Sequence, residues 1–339
     1  MALRIMLQYT KNLTVRIFMD KLETLLNHHL NQVEECLRSS LSGSVYENSV
    51  NEMCLRIVSS GGKRIRPKIA ILVWYALHGT EPESRLIHFA SAAEILHTAT
   101  LVHDDVIDKA TVRRGVKTLN ETEGNHLAVL AGDYLFTKCF MFINEVSEKE
   151  LAQLMNKTLA SLVTGEINQL QNKDNLDITL EDYLNTIYCK TGALFELTSA
   201  GTAIVAKQSQ QTVDMLREYG KQLGIAFQVT DDMLDYTANS KTLGKNIGED
   251  LEDGRITMPL IFALKKCPQD EHAILKNAIL NNNLPQVLKF IEKAAAIEEC
   301  TKFALEAANR AKDSLTALSP SCYKDALIDL AFKACNRSY

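Results

Sequence analysis

Turn-forming residues and long apolar runs are both scarce in this sequence. Its 339 residues include only 15 glycines and 6 prolines, whereas sheet-rich folds need many tight turns built from such residues. No uninterrupted apolar run approaches the length that crosses a bilayer, and the best candidate, 69–77, fits a buried helix segment. These absences favour long helices joined by short loops, without a transmembrane segment.

Paired cysteines and a strong excess of one charge are also missing. The eight cysteines form no CxxC pair, which argues against a zinc site, and a chain with this much core does not need a disulfide framework. We expect reduced, buried thiols in a cytoplasmic protein. The formal net charge of −5 gives no basic footprint, so no nucleic-acid partner is predicted.

Apolar residues recur at spacings of three and four along most of the chain, which indicates helices, and no useful length alternates with period two. Capping boxes that begin at Thr80, Ser147 and Thr179 predict three helix starts. The pattern predicts an all-α fold of about a dozen helices, several longer than about twenty residues. Loops are expected around 59–62, 111–115, 171–178 and 237–257.

Residues 1–18 contain three basic residues, Arg4, Lys11 and Arg16, and no acidic residue. Such a segment fits a weak transit-like extension. It fits equally well sequence upstream of a start at Met19, or a short basic helix with no special role. The main domain is therefore expected to span 19–339.

The first acidic cluster, Asp104-Asp105-Val-Ile-Asp108, follows a long apolar stretch over 90–102. On a helix, Asp104 and Asp108 lie one turn apart and point the same way. Carboxylates beside a core-facing helix repel one another and are costly to desolvate unless a cation or solvent compensates. Their oxygens suit Mg²⁺. A solvated acidic helix end is the alternative for this cluster taken alone.

A second cluster, Asp231-Asp232-Met-Leu-Asp235, repeats the spacing after the apolar segment 223–229. Both clusters are predicted at the C-terminal ends of helices, where the helix dipole disfavours carboxylates and a cation would compensate them. Two such helices in one bundle can bring both clusters to the mouth of one apolar cavity. The pair therefore favours a magnesium site over a solvated surface.

Basic residues bracket the acidic clusters. The segment GGKRIRP at 61–67 places three cations beside two glycines, and RRG at 113–115 follows the first cluster. Such loops can wrap a diphosphate, with Arg66 in bidentate contact. Lys190 and Lys245 lie near the second cluster. An ordinary basic loop is the alternative for 61–67 alone, but the whole arrangement predicts a site for two anions, one bound through metal and one directly.

Together these motifs resemble the trans-polyprenyl diphosphate synthases from about Met19 to the C-terminus. The matching pieces, in order, are GGKRIRP (61–67), EILHTATLVHDDVID (94–108), RRG (113–115), GEINQL (165–170), KTGALFE (190–196), FQVTDDMLDY (227–236) and GKNIGEDLEDGRITMP (244–259). They are most similar to the bacterial octaprenyl-type enzymes that supply quinone tails. The resemblance implies a single antiparallel helical bundle of the isoprenoid synthase type around a central apolar cavity.

The resemblance also implies a metal site. In the family, the allylic diphosphate is held by both aspartate motifs through Mg²⁺, about three ions per site once substrate is bound. The implied principal ligands are Asp104, Asp108 and Asp231. The supporting acidic residues are Asp105, Asp232 and Asp235.

Substrate contacts are implied residue by residue. Those to the allylic diphosphate are Arg113, Lys190 and Lys245. Isopentenyl diphosphate would lie on Lys63, Arg66, His97 and Arg114. Thr191 and Gln228 would lie beside the forming carbocation. Counted as catalytic are Asp104, Asp108, Asp231, Lys190, Thr191, Gln228 and Lys245. Arg255 stands where the family often has lysine, which keeps the cation but changes its geometry.

The implied reaction is ionisation of the allylic C–O bond, attack by isopentenyl diphosphate and loss of a proton. The family is usually homodimeric, and loose membrane association would help release a long product. A non-catalytic subunit of a heteromeric synthase is an alternative, but such subunits lose aspartates that this chain keeps. Terpene cyclases and head-to-head synthases lack the paired basic loops.

Product length is expected to depend on residues just before the first motif. Ala99 and Thr100 lie about one turn below Asp104, where short-chain members of the family tend to carry aromatics. Small side chains there predict an open channel and a product longer than about C20, near C40. The channel floor would then be set by residues of a later helix, namely Phe136, Phe140 or Met141.

Two histidines have competing interpretations. A single histidine on an apolar helix face is more often a hydrogen-bonded structural residue, but the resemblance makes His97 a ligand of isopentenyl diphosphate. His103-Asp104 spells the dipeptide of the HD metallohydrolases, yet no second histidine pair completes that site.

Overall fold

The computed structural model describes residues 2–42, 47–237 and 247–336, with side chains from residue 21 onward. Of these described residues, 80% are helical and almost none lie in strands, which confirms the all-α expectation. Two compact units are present: Met1–Tyr75 with Thr80–Glu148, and Ala76–Gly79 with Lys149–Tyr339. They are called unit 1 and unit 2 below. The single domain expected over 19–339 stays a prediction.

Unit 1 is built around a long central helix. Its elements are α1 (Ala2–Ser40), α2 (Asn48–Val58), α3 (Ile65–His78, whose last three residues belong to unit 2), α4 (Ser84–Ile107), β1 (Val112–Arg113), β2 (Val116–Lys117), α5 (Leu119–Glu123) and α6 (Asn125–Val146). Helix α4 packs along α6 and against α1. Phe89, Ile95 and Leu135 are fully buried in this core.

A small antiparallel hairpin follows α4, where only a loop was expected. Val112 pairs with Lys117, and Arg113 pairs with Val116. The connecting residues Arg114 and Gly115 have φ of 53° and 78°, the left-handed pair that tight hairpin turns require. Strands of two residues are too short to give a periodic signal. The hairpin places Arg113 and Arg114 just beyond the first aspartate motif.

Unit 2 is larger. Its elements are α7 (Lys149–Gln171), α8 (Leu180–Ile187), a π turn (Tyr188–Gly192), α9 (Ala193–Val205), α10 (Gln210–Thr237), α11 (Glu249–Glu252), α12 (Met258–Lys266), α13 (His272–Leu280), α14 (Leu284–Lys293), α15 (Ala296–Ser314), a 3₁₀ turn (Leu315–Ala317) and α16 (Cys322–Cys335). Helix α9 is buried along its whole length. Helices α7 and α10 pack on it, and α15 packs on α10. The hydroxyl of Tyr219 donates to Leu327 O at 2.8 Å and fixes α10 to α16.

Only one of the three predicted capping boxes forms. At Thr179 the side chain and Asp182 cap each other at the start of α8, as expected. The predictions at Thr80 and Ser147 are wrong. Helix α4 begins at Ser84, after Glu83, and Ser147 adopts φ of 57° at the end of α6. A serine that closes one helix in a left-handed conformation cannot also cap the next in the extended conformation that a capping box needs.

The cysteines are free, as expected, although only Cys54, Cys139, Cys300 and Cys335 are fully buried. Burial raises the pKa of Cys54 and Cys139 to about 12, so neither is a reactive thiolate.

Helix α6 is apolar over a length that could span a bilayer, although polar residues interrupt its sequence. In the part of the chain described, it alone is long and apolar enough to cross a membrane by length and composition, with mean hydropathy 1.3. Because 44% of that window is buried within the protein, the same numbers also fit a core helix.

Candidate active site

The first aspartate motif occupies the last turn of α4 and its end, as predicted. Asp105 is 6% exposed, and Arg113 Nε donates to its Oδ1 at 2.6 Å. Burial raises the pKa of Asp105, while the Arg113 guanidinium opposes that rise. Asp104 and Asp108 are only half-buried. The middle aspartate is therefore buried against Arg113, whereas the outer two are more exposed to solvent.

Three of the predicted ligands of isopentenyl diphosphate lie together in unit 1. Burial lowers the pKa of His97 well below its usual value, and the charges of Arg66, Arg114 and Arg113 lower it further. The imidazole is therefore neutral in a strongly cationic surrounding. Burial also lowers the pKa of Arg66 to about 10. Such a cluster of cations is stabilised by a bound polyanion.

The basic loop and the hairpin are in direct contact. Arg114 Nη1 donates to Gly61 O, and a Cβ on Gly62 would lie 2.8 Å from that same nitrogen. Glycine is favoured at position 62 by its φ of 154°, which residues with a side chain rarely adopt, and a Cβ there would also displace the Arg114 guanidinium. Lys63, the fourth predicted ligand, is exposed on this loop.

Arg64 has a different role from its neighbours. Its backbone is left-handed, with φ of 47°, and its side chain is only 9% exposed. It pairs with Glu34 and with Glu94 Oε1 at 3.0 Å, and it donates to Val58 O at 2.7 Å. Arg64 therefore fixes the loop by a buried ion pair with Glu94 and a half-buried one with Glu34. Sequence reasoning assigned no role to either glutamate, although Glu94 begins one of the motifs that carry the family resemblance.

The second aspartate motif lies in the last two turns of α10. Asp232 is 6% exposed and accepts two hydrogen bonds, from the Tyr183 hydroxyl at 2.6 Å and from Gln228 Nε2 at 2.7 Å. Burial raises its pKa to about 6 despite these bonds. Asp235 accepts the backbone N–H groups of Glu249 and Asp250 at 3.2 and 3.1 Å. Asp231 is exposed.

Lys190 and Thr191 lie in the π turn, a widened turn that is often found at functional sites. Thr191 Oγ1 donates to Gln228 Oε1 at 2.7 Å. Lys190 Nζ pairs with Glu166 at 2.5 Å. A Cβ on Gly165 would lie 2.5 Å from the Lys190 backbone nitrogen, so α7 approaches the π turn closely. Gln228 thus links the predicted carbocation-facing threonine to Asp232.

Asp250 and Arg255 complete this part of unit 2. Arg255 Nη1 lies 3.4 Å from Asp250 Oδ1, and its Nη2 lies 3.0 Å from Asp253 Oδ2. When the Gln169 amide is oriented with its oxygen toward Lys190 and Arg255, that oxygen accepts from Lys190 Nζ at 3.0 Å and from Arg255 Nε at 3.3 Å. Burial raises the pKa of Asp250 well above its usual range, and the charges of Asp232 and Asp235 raise it further.

These side chains surround a cavity of about 100 Å³ in unit 2. Its polar lining comprises Gln169, Asn172, Tyr183, Thr186, Lys190, Thr191, Gln228, Asp232, Asp250, Arg255 and Thr257. Its apolar lining comprises Ile178, Ile187 and Ile256. Two cations and two carboxylates in one small cavity suit a polyanion with accompanying metal.

Comparison with known proteins agrees with this chemistry. Residues 47–295 match the family model of the polyprenyl synthetases. The octaprenyl diphosphate synthase of Haemophilus influenzae is 35% identical over 94% of this chain and 97% of its own. The chain belongs to the polyprenyl synthetase family.

Solved structures support that membership. A decaprenyl diphosphate synthase from Rhodobacter capsulatus superposes with a TM-score of 0.87 at 31% identity, covering 94% of this chain and 98% of its own. A polyprenyl synthase from Caulobacter crescentus, complexed with calcium and isoprenyl diphosphate, gives 0.86 at 29% identity, covering 94% and 97%. This polyprenyl synthetase is therefore an all-α prenyltransferase of the isoprenoid synthase fold, with long-chain relatives.

Members of the family use allylic and isopentenyl diphosphates and are generally Mg²⁺-dependent. The candidate ligands are of the chemical type that Mg²⁺ prefers, because each aspartate offers carboxylate oxygens. Within the described residues, no group of three or more histidines, cysteines or carboxylates is arranged to hold a metal by itself. Magnesium bound by one or two carboxylates with substrate phosphates would satisfy both observations.

Some predicted residues lie elsewhere or outside the description. Lys245 lies outside the described residues. His103 packs into the space left by Gly132, 3.4 Å from Asp133 Oδ1 and 3.1 Å from Val129 O. This arrangement is structural and does not favour the HD metallohydrolase alternative. Asp250, Tyr183 and Glu166 were not predicted, although Asp250 and Glu166 lie inside motifs that carried the family resemblance.

The predicted chain-length residues all lie in unit 1. Ala99 is fully buried, and Thr100 Oγ1 donates to His97 O at 2.8 Å. The Phe136 ring packs edge-on against His103, with centroids 5.3 Å apart. Phe140 and Met141 are 37% and 56% exposed. Their roles in setting product length stay predictions.

Proposed function

We propose that this polyprenyl synthetase elongates an allylic diphosphate by adding successive isopentenyl diphosphate units. The preferred allylic substrate is farnesyl diphosphate, and the product is an all-trans chain of about C40 for quinone biosynthesis. The arginine cluster around neutral His97 is the observation that carries the proposal. It offers a directly bound diphosphate a subsite of its own, beside a motif that suits a metal-bound one. A medium- or short-chain product is the alternative.

Asp104, Asp108 and Asp231 are proposed as the principal metal ligands. Asp104 and Asp108 are half-buried and Asp231 is exposed, whereas Asp105 and Asp232 are each only 6% exposed, so the first three carboxylates are more accessible to a metal. Bound Mg²⁺ would stabilise the charge that develops on the leaving diphosphate. The same diphosphate would be contacted by Arg113, Lys190 and Lys245. About three Mg²⁺ ions would bind with it.

Lys63, Arg66, His97 and Arg114 are proposed to bind isopentenyl diphosphate. A neutral imidazole can donate one N–H to a phosphate oxygen while the guanidinium groups supply charge. Thr191 and Gln228, joined by a 2.7 Å hydrogen bond, would present oxygens to the allylic cation. The departing diphosphate is proposed to accept the proton, since no side chain stands out as the base.

The wider expectations are also proposals. We infer a cytoplasmic homodimer of a single-domain chain, with loose membrane association that aids release of a long product. All six motif aspartates are present, which favours an active synthase over a non-catalytic subunit.

The decisive experiment incubates purified protein with farnesyl diphosphate, labelled isopentenyl diphosphate and Mg²⁺, and sizes the products by chromatography. We expect Mg²⁺-dependent elongation to about C40. Products that stop at about C20, after one unit is added to the C15 primer, would overturn the long-chain assignment, and no elongation would overturn the whole proposal.

A further inference from the structure

Glu94, on α4, is a buried carboxylate that the proposed reaction does not use. It is 3% exposed. Its Oε1 accepts from Arg64 Nη1 at 3.0 Å, while its Oε2 is buried and has no hydrogen-bond partner among the described residues. A buried carboxylate oxygen without a donor is costly, so its retention asks for a role beyond the pairing with Arg64.

The surroundings of Glu94 are the proposed subsite for isopentenyl diphosphate. Burial lowers the pKa of Arg66 and of Arg114, and the charge of Glu94 opposes that fall at both guanidinium groups. Glu94 therefore serves as counter-ion to more than the arginine with which it is hydrogen-bonded. Glu34 pairs with Arg64 as well, but it is 29% exposed and borders the cluster from its solvent side.

In the proposed reaction, a counter-ion at this subsite would affect how the bound diphosphate is released. In each cycle, the allylic C1–O bond breaks and pyrophosphate leaves with the electron pair. C4 of isopentenyl diphosphate bonds to C1, and a proton leaves C2. The diphosphate of the isopentenyl unit stays on the product. It must therefore leave this subsite before the next isopentenyl diphosphate binds, once for every unit added.

We propose that Glu94 is a positioning residue that competes with the bound diphosphate for Arg66 and Arg114, so that the subsite releases its diphosphate after each condensation. This inference rests on the proposed function. The carboxylate charge compensates the guanidinium groups when the subsite is empty and weakens their hold when it is occupied, since like charges close together repel. Through Arg64, the same carboxylate fixes the basic loop.

The test separates the charge of Glu94 from its hydrogen bond. Glu94→Gln keeps an oxygen that can accept from Arg64 but removes the charge, and Glu34→Gln is the matched control on the same arginine. Binding of isopentenyl diphosphate is measured by calorimetry without allylic substrate or Mg²⁺. We expect Glu94→Gln to bind about three- to tenfold more tightly than the wild type, and Glu34→Gln to stay within about twofold.

Turnover gives a readout that a purely structural role would not move. With farnesyl diphosphate and Mg²⁺, Glu94→Gln should lower both KM for isopentenyl diphosphate and kcat, because release becomes slower. A general loss of structure would raise KM. Binding that is unchanged or weaker in Glu94→Gln would overturn the proposal.

A second variant guards against misfolding of the first, with thermal denaturation recorded for each protein. Glu94→Asp keeps the charge but withdraws it by one methylene, and we expect binding between those of the wild type and Glu94→Gln. Weaker binding than in the wild type would again overturn the proposal. If the wild type itself bound no isopentenyl diphosphate, the proposed function would fall, and this role with it.

Discussion

The two aspartate motifs share one sequence spacing, but their middle aspartates are held by different kinds of partner. In unit 1, the middle aspartate, Asp105, is held by a cation, Arg113, and further arginines surround His97 nearby. In unit 2, the middle aspartate, Asp232, is held by the neutral donors Tyr183 and Gln228. The pKa of Asp232 rises to about 6 through burial, whereas at Asp105 an ion pair counters the same effect.

This contrast teaches that the spacing determines which carboxylates share a helix face, while their partners determine the charge they carry. The first motif stands in a cationic region that is ready for anions. The second lines a cavity of mixed charge, where Asp232 and Asp250 repel each other and Arg255 compensates them in part.

The outer and middle aspartates of the first motif should differ most. Asp104→Asn is expected to lower kcat/KM by about a thousandfold or more, because a proposed metal ligand is lost. Asp105→Asn should cost at least about tenfold less, since its partner is Arg113. Both are checked by incorporation of labelled isopentenyl diphosphate. Equal losses would contradict the division of roles inferred from burial and pairing.

The middle aspartate of the second motif should make stability depend on pH. Its pKa rises from 3.8 to about 6 in the folded protein, so the native state binds the proton more tightly than the unfolded state. Its contribution to the unfolding free energy is therefore present below about pH 4 and falls by roughly 2–3 kcal/mol as pH rises through about 6.

Denaturant unfolding of metal-free protein tests this sign. The difference between the wild type and Asp232→Asn should change by that amount between about pH 4 and pH 7. For Asp105→Asn the change should have the same sign and be smaller, because Arg113 stabilises the charged form. A difference that does not depend on pH would contradict the buried, ionisable assignment of Asp232.

Matched alanines five residues before each motif test whether product length belongs to unit 1. Ala99 and Ala226 precede Asp104 and Asp231 by the same distance, and both are fully buried. Each change to Phe should cost about 1–3 kcal/mol through overpacking. Only Ala99→Phe should shorten the product, as sized by chromatography. An active Ala99→Phe variant with unchanged product would place the channel elsewhere.

The smallest expected effect concerns helix starts. Thr179→Ala should lower the unfolding free energy by about 1 kcal/mol, because the capping box of α8 is lost. Thr80→Ala, at the sequence pattern in unit 1 that forms no box, should change it by less than about 0.5 kcal/mol. Thermal denaturation of both variants distinguishes the formed cap from the one that only the sequence suggests.

Sequence reasoning succeeded where the signal is local. Helical periodicity predicted the long helices, and the placement of both aspartate motifs at helix C-termini is confirmed by α4 and α10. It failed at Ser147, because a left-handed backbone cannot be read from a capping pattern. It also missed Tyr183 and Glu94, because their importance comes from contacts that are distant in sequence. Tyr183 contacts Asp232, 49 residues away, and Glu94 contacts Arg64, 30 residues away.

The π turn at Tyr188–Gly192 makes the site sensitive to the number of residues in this segment. A π turn contains about one residue more than a regular helical turn. Deletion of one residue there would remove the widened turn and leave a regular α-helix, with the flanking helices near their present register and one residue fewer in the turn. Lys190 and Thr191 would then no longer face Glu166 and Gln228 together. Conservative substitutions in this segment preserve the count of residues, whereas a single-codon deletion does not, so the gene should tolerate the former far better than the latter.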